Sequence, residues 1–339
     1  MNRDPYMDNL RCFLIILVVI GHFLGKFSSI DLYKHLQLFI YLFHMPLFIF
    51  VSGYFSKSLF KNGVFQARKV ISVFWMFLLF RLATYFITVL FKGYYTFNLF
   101  TDSSAPWYLL SLCLWYLFVP IIHNYKAKYV IPIAFICGIL IGFDSSVGTF
   151  LSLSRTIVFF PFFCIGYYYT PEQLAKLLNK KLRIPSVVLL ILTLCFILWK
   201  GELFSPYIRF TYGAASYKDL LDNNYLLYGP LIRMLWYLVA ITLSIAVMYI
   251  IPRCHTWFTY IGQRTLSVYV GHSLIRNILI YEGLDTFLLS LPKIYTLLIF
   301  VICILIVLIC SSSIVFKVFS YVLSHPFFIG CWNKKKQNN

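Results

Sequence analysis

The sequence predicts an all-α, polytopic integral membrane protein of about ten transmembrane helices with both termini in the cytoplasm. Three observations carry that prediction. Of 339 residues, 61% are hydrophobic, 20% aromatic and only 12% charged, and a mean hydropathy of +0.82 is far above what a water-soluble domain can tolerate at its surface. Apolar runs long enough to cross a bilayer core as a helix recur along the whole chain. Lys and Arg are divided unevenly between alternate connections, as their retention on the cytoplasmic side of short loops requires.

In chain order the expected spans are Leu10 to Phe27, Leu36 to Phe55, Val70 to Phe91, Trp107 to His123, Tyr129 to Phe143, Ser154 to Tyr169, Pro185 to Trp199, Pro230 to Ile251, Ile261 to Tyr281 and Ile294 to Phe316. With the N-terminus inside, seventeen Lys and Arg fall on inner segments, and seven (Lys26, Lys34, Lys92, Lys200, Arg209, Lys218 and Lys293) fall outside. The first span is expected to be retained, because it carries Arg11 and His22 and no small-x-small cleavage site follows its apolar stretch. The chain reads as a single transmembrane domain over residues 1–339, ending in a short basic tail at 324–339.

The formal net charge of +18 does not point to nucleic acid, since the basic residues are scattered over short loops beside the membrane and form no patch interleaved with aromatic readers. Nine cysteines show neither CxxC spacing nor a disulfide framework and read as small apolar fillers. No metal site is expected. GxGxxG, P-loop, HExxH and GxSxG patterns are absent from the sequence, as are internal repeats.

The chemistry starts in "DNLRCFLIILVVIGHF", residues 8 to 23. Arg11 and His22 are eleven residues apart, which returns them to within about 20° of one helical face at about 16 Å separation along the axis. Taken alone, Arg11 reads first as a topology-setting residue that snorkels to the interface; it can also hold phosphates as a permanently charged fork. His22 lies past the midplane, where an ionisable side chain is costly and marks a site ahead of a merely satisfied core histidine. In "LFHMPLFIFVSGYFSK", residues 42 to 57, His44 enters from the outer side by about 12 Å, near the depth of His22. His272, about 16 Å into the ninth span, has a comparable depth. Neutral imidazoles at one level can pass or share a proton. Ser52 and Gly53 suit close helix approach. Arg155 and Arg276 are expected to face a cavity or a carboxylate partner, whereas Arg81 and Arg233 read as structural ion pairs. The outer stretch from Gly201 to Gly229, rich in Tyr with Asp219 and Asp222, either covers or reads a sugar or simply anchors the interface.

"MDNLRCFLIILVVIGHF" and "FHMPLFIFVSGYFSK", followed in order by "PWYLLSLCLWYL" at 106 to 117, "SRTIVFFPFFCIGYY" at 154 to 168 and "WFTYIGQRTLSVYVGH" at 257 to 272, resemble the acyltransferase-3 family of integral membrane O-acyltransferases, particularly its fucose 4-O-acetylase-like branch. The resemblance implies transfer of an acyl group, usually acetyl from cytoplasmic acetyl-CoA, to a sugar hydroxyl of a cell-surface or exported glycan. It carries essential roles onto Arg11 and His22, and candidate roles onto Asp8, His44, Ser52, Gly53, Arg155 and His272. The chain departs from the family where many members have SGxxxR and a following RxxR. Here stand Lys57 and "ARKVIS", with Arg68 and Lys69. No C-terminal esterase-like domain is seen in the sequence.

The expected mechanism binds acetyl-CoA phosphates at Arg11, Lys57, Lys61, Arg68 and Lys69, with the pantetheine arm lying along one continuous face from Arg11 to His22. His22 acts as base, His44 or His272 orients it or stabilises the oxyanion, and Arg155, Arg276, Asp8 and Ser52 contact substrate. The expected setting is a bacterial cytoplasmic membrane, beside polysaccharide biosynthesis machinery. Two rivals share the ionisable residues: a glycan transporter, against which stands the lack of an inverted repeat or of paired broken helices, and a noncatalytic partner in polysaccharide assembly.

Overall fold

The computed structural model describes residues 4–324 except 62, 100, 102–104 and 178–179, and of residues 61, 177, 180, 223, 323 and 324 the backbone alone. The basic tail expected at 324–339 falls outside the described side chains. The helices are α1 (Pro5–Leu24), α2 (Asp31–Tyr41), α3 (His44–Ser56), α4 (Ala67–Lys92), α5 (Trp107–His123), α6 (Ala127–Leu140), α7 (Leu153–Tyr168), α8 (Pro171–Leu177), α9 (Arg183–Phe204), α10 (Ile208–Tyr212), α11 (Tyr217–Leu220), α12 (Gly229–Ile250), α13 (Thr259–Gln263), α14 (Thr265–Tyr281), α15 (Leu284–Ser290), α16 (Leu298–Cys310) and α17 (Ser313–Ser324). A two-residue hairpin, β1 (Phe60–Lys61) against β2 (Val64–Phe65), joins α3 to α4.

Helix occupies all ten expected stretches. Six of the described helical segments are long and apolar enough to cross a membrane: Pro5–Leu24, Asp31–Leu59, Ala67–Lys92, Arg183–Tyr212, Asn224–Ile250 and Lys293–Cys310. Trp107–His123, Ala127–Phe143, Leu153–Tyr168 and Ser313–Val322 are apolar but shorter. Large apolar side chains point outward all round the bundle, Leu90, Ile184 and Trp199 each about three-quarters exposed. In water such a surface would be an aggregation liability; against lipid tails it is the expected one.

Three of the expected spans are interrupted, contrary to the continuous helices read from the sequence. Pro46 has no N–H to give the carbonyl of Leu42, and the helix breaks there: Phe43 leaves helical geometry at φ −135°, ψ −23°, so α2 ends and α3 starts again at His44. The ninth span breaks at Arg264 (φ −118°, ψ 23°). The guanidinium of that residue donates to the carbonyl of Ser311, 2.6 Å away at the end of α16, which also ends the tenth span before the expected Phe316.

Helix α1 is the central post. Asp4 caps it by accepting from the N–H of Tyr6, and Leu10, Leu14, Ile15, Val19 and Phe23 are fully enclosed. Asn9, also fully buried, accepts from the hydroxyls of Thr256 (2.9 Å) and Thr259 (2.7 Å) and donates to the carbonyls of Pro252 (3.0 Å) and Cys254 (2.8 Å). One amide thus ties the α12–α13 connection to α1 with every polar group satisfied. On the other side, α3 and α7 meet backbone to backbone. A Cβ on Gly53 would run into the carbonyl of Phe163, and one on Gly166 into that of Phe50, the close approach expected for Gly53.

Candidate functional site

Helices α1 and α14 run side by side in the same direction, and two polar contacts join them. Near the start of both, Arg11 donates to the hydroxyl of Thr265 (3.1 Å). Further along, Nδ1 of His22 lies 3.0 Å from Nε2 of His272, with the rings stacked at 5.2 Å. Arg11 and His22 therefore share one face of α1, as their spacing predicts.

The tautomers follow from the acceptors. Nδ1 of His272 lies 2.8 Å from the carbonyl of Val268; a carbonyl only accepts, so this nitrogen carries the proton and Nε2 holds a lone pair. Nδ1 of His22 then donates to that lone pair, which leaves Nε2 of His22 unprotonated. His272 is sealed from any cavity, with no exposed surface. His44 makes the same kind of bond, Nδ1 to the carbonyl of Ile40 at 2.8 Å, which leaves its own Nε2 as an acceptor.

His22 and His44 open onto one cavity of about 350 Å³, whose wall also includes Tyr41, Trp107, Arg155, Tyr212 and Arg276. Tyr41 approaches because residue 21 is glycine: a Cβ there would sit 2.6 Å from its ring. The guanidinium of Arg155 lies over the Trp107 ring, 5.1 Å from its centre. Helix α10 brings Thr211 and Tyr212 to the wall from the Gly201–Gly229 connection, so part of that stretch does cover the site. Asp219 does not reach it. Its carboxylate caps α11 through the hydroxyl and N–H of Ser216, and those bonds hold it below the usual carboxylate range.

A second cavity of about 320 Å³ lies beside Arg11, walled mostly by apolar side chains of α3, α4 and α5, with the hydroxyls of Ser52, Tyr108 and Tyr269. The two cavities share no lining residue, which corrects the expectation of one continuous passage from Arg11 to His22. Between them is an aromatic layer. The Tyr108 ring stands 5.5 Å from Phe48 and 5.3 Å from Tyr269, and the Tyr269 ring 6.0 Å from His272. The Tyr269 hydroxyl bonds the carbonyl of Ala105, a residue of the His22 cavity. Large aromatic side chains fill the midplane gap that the helical spacing alone left open.

The remaining expected site residues scatter. Asp8 lines neither cavity; it is 1% exposed and pairs with Arg11 at 3.2 Å, so the structure places it as the partner of Arg11. Ser52 faces the Arg11 cavity, its hydroxyl donating to the carbonyl of Phe48 at 2.8 Å and accepting from Tyr108 at 2.7 Å. Lys57 bonds the carbonyl of Tyr169 and lies over the Tyr54 ring at 4.4 Å. Lys69 bonds Ser58 through both its carbonyl and hydroxyl at 2.7 Å, Arg68 is exposed beside it, and the side chain of Lys61 lies outside the described residues. Among the described side chains, Lys57, Arg68 and Lys69 do not line the Arg11 cavity. The ion pair expected for Arg233 is replaced by the Phe210 carbonyl at 2.7 Å and the rings of Phe210 and Trp236, each 5.4 Å away. Arg81 bonds the carbonyls of Asn98 and Thr101.

Sequence reading missed Tyr41, Tyr108, Thr265, Tyr269 and Asn277. Tyr269, His272, Arg276 stand three and four residues apart, a helical face that the sequence displays. Tyr108 and Tyr41 carry no such mark among 26 tyrosines.

The sequence profile described as "Acyltransferase domain" for the acyltransferase-3 family matches residues 4–332. The nodulation protein NolL of Sinorhizobium fredii is similar at 26% identity over 232 residues, an alignment covering 60% of this chain and 60% of that protein. No solved structure matches. Neither comparison singles out the fucose 4-O-acetylase-like branch. The chain belongs to the acyltransferase-3 family.

Proposed function

We propose that this acyltransferase moves an acetyl group from acetyl-CoA onto a sugar hydroxyl of a cell-envelope glycan or its precursor, in a bacterial cytoplasmic membrane and in the company of polysaccharide biosynthesis machinery. The observation that supports this most is the relay from His22 through His272 to the Val268 carbonyl, which leaves an imidazole lone pair on the wall of a cavity.

In this reading the acceptor occupies the His22 cavity. As its hydroxyl oxygen attacks the thioester carbonyl carbon, Nε2 of His22 takes the hydroxyl proton, and His272 accepts from the Nδ1–H of the resulting imidazolium. Collapse of the tetrahedral adduct breaks the carbon–sulfur bond, the proton passes from His22 to sulfur, and an ester and free CoA thiol remain. Arg155 and Arg276 supply positive charge to the oxygen that becomes negative on the way. His272 is a positioning residue, since it is sealed behind His22.

The donor enters from the Arg11 side, where the N-terminus places the cytoplasm. The narrow, mostly apolar cavity with Ser52 and Tyr108 hydroxyls suits a pantetheine arm, an aliphatic chain interrupted by amides. Exposed Arg68 and Lys69 stand at the start of α4 for its phosphates. For the thioester to reach His22, the rings of Tyr108 and Tyr269 have to part.

The test incubates purified protein with radiolabelled acetyl-CoA and candidate glycans. His22→Ala is expected to lower turnover by about 10²- to 10⁴-fold with folding intact by thermal melting. Undiminished labelling of glycan by His22→Ala overturns the reading.

A further inference from the structure

We infer that His44 reads a second hydroxyl of the acceptor sugar and thereby selects the hydroxyl that His22 deprotonates. The inference rests on the acyl-transfer reading above and narrows its substrate class: the acceptor is a sugar with two free hydroxyls, and a unit with one is a poor acceptor.

The break between α2 and α3 decides what His44 can do. Its Nδ1 is turned back to the carbonyl of Ile40, 2.8 Å away; a carbonyl only accepts, so the proton of the neutral ring sits on that nitrogen. Nε2 lies on the far side of the ring, toward the cavity that His44 lines, and holds a lone pair. Such an atom cannot donate to a developing oxyanion, which corrects one role expected for His44. It can take a proton or accept a hydrogen bond.

Among the described residues none donates to Nε2 of His44. Tyr41 lies against the imidazole, ring centres 4.7 Å apart, but its hydroxyl proton goes to the Gly21 carbonyl at 3.2 Å. Thr211, on the same cavity wall, gives its proton to the carbonyl of Ile208 at 2.6 Å. The Gly21 bond also ties Tyr41, and with it the neighbourhood of His44, to the residue that precedes His22 in α1.

The cavity therefore shows a ligand two imidazole lone pairs, Nε2 of His22 and Nε2 of His44. A buried acceptor left without a donor is costly, and in a site of about 350 Å³, within the range of small-ligand sites, a bound sugar supplies the donors. Each hydroxyl has one proton to give. The hydroxyl on His22 has the relay through His272 behind it and loses its proton. The one on His44 is held, and that contact turns one particular oxygen toward His22. An ester or ether at the second position has no proton to give, so a sugar already blocked there is refused.

The experiment measures binding to the full chain in lipid nanodiscs without donor, by saturation-transfer NMR titration, for the methyl glycosides of glucose, galactose and mannose and for each of their monodeoxy analogues. In at least one parent, deletion of either of two hydroxyls is expected to weaken binding about tenfold. His44→Phe should remove one of the two penalties and His22→Phe the other. His44→Gln, which puts a carbonyl oxygen near the place of Nε2, should restore part of what Phe loses. The inference is overturned if no parent has two sensitive positions, if His44→Phe leaves both penalties, or if it removes both at once. Should His44→Phe fail to fold, the wild-type series and His44→Gln decide.

A second readout adds acetyl-CoA to the parent that binds. Wild type should give one positional ester by NMR and His44→Phe a mixture. A loss of turnover as large as that expected for His22→Ala, with the ester position unchanged, would make His44 the base and overturn the inference. Because the binding series contains no donor, its failure is seen apart from failure of the transfer reading, which the labelling of glycan by His22→Ala decides.

Discussion

The two ends of the α1–α14 pair are built on opposite principles. At the Arg11 end the protein's own side chains hold the charge. Asp8 and Thr265 hold the guanidinium, and Asn9 satisfies two hydroxyls and two carbonyls with a single amide. At the His22 end the protein stops short of completion: a lone pair on Nε2 and the unmatched Arg276 both border the cavity. In a membrane interior, where no water makes up the deficit, the first arrangement is what stability requires and the second is what a substrate completes. Neither charge nor burial alone separates the two ends; the difference lies in whether the arginine has a partner within the protein.

The largest effect expected from breaking this contrast is at His272. His272→Ala removes the acceptor of the Nδ1–H of His22, so the ring loses both its orientation and the partner of its imidazolium. Acyl transfer should fall on the order of 10²-fold through kcat, with little change in KM for the donor, because the Arg11 cavity is untouched. Steady-state kinetics on the purified variant, with melting temperature as control, check this. A change confined to KM would mean that His272 acts by shaping the donor route.

At the other end the same kind of deletion should read out as stability. Asn9→Ala leaves Thr256, Thr259 and the Pro252 and Cys254 carbonyls to find new partners, at a cost of about 1–3 kcal/mol. Thermal melting in detergent should show the loss, and turnover per folded molecule should stay near wild type. If Asn9→Ala instead abolishes turnover with an unchanged melting temperature, the division of labour between the two ends is wrong.

The sequence displays this division only partly. Hydropathy marks the ten long apolar stretches and passes over short helices such as α8, α11 and α15, because a lipid-facing helix is apolar all round and its length is set by the bilayer. The shared face of Arg11 and His22 follows from helical spacing, and spacing within α14 adds Arg276 to His272. The interruption after Tyr41 is also legible, since Pro46 cannot donate to the carbonyl four residues back. The pairing of His22 with His272 is not. It depends on α1 and α14, some 250 residues apart in sequence, becoming neighbours, and periodicity within one helix says nothing about which helix lies beside it. The division into two cavities is equally hidden, because it is made by the volumes of Phe48, Tyr108 and Tyr269 filling space between helices whose separation the sequence does not state.

That aromatic layer gives the smallest effect and the finest test. Tyr108→Phe removes one hydroxyl, the partner of Ser52 at 2.7 Å, and keeps the ring that stands against Phe48 and Tyr269. Ser52 still donates to the carbonyl of Phe48 at 2.8 Å, so the loss should be limited to about 0.5–1.5 kcal/mol in stability, with the cavities still separate. Tyr108→Ala removes the ring itself and should join the two cavities. Water then reaches the thioester from the acceptor side before a sugar does, and release of CoA thiol without acceptor should rise relative to transfer. Thiol release measured with and without acceptor across wild type, Tyr108→Phe and Tyr108→Ala separates the hydroxyl from the ring. If Phe uncouples hydrolysis from transfer as strongly as Ala, the hydrogen bond closes the passage and the ring does not; if neither does, the donor reaches His22 by a route that avoids this layer.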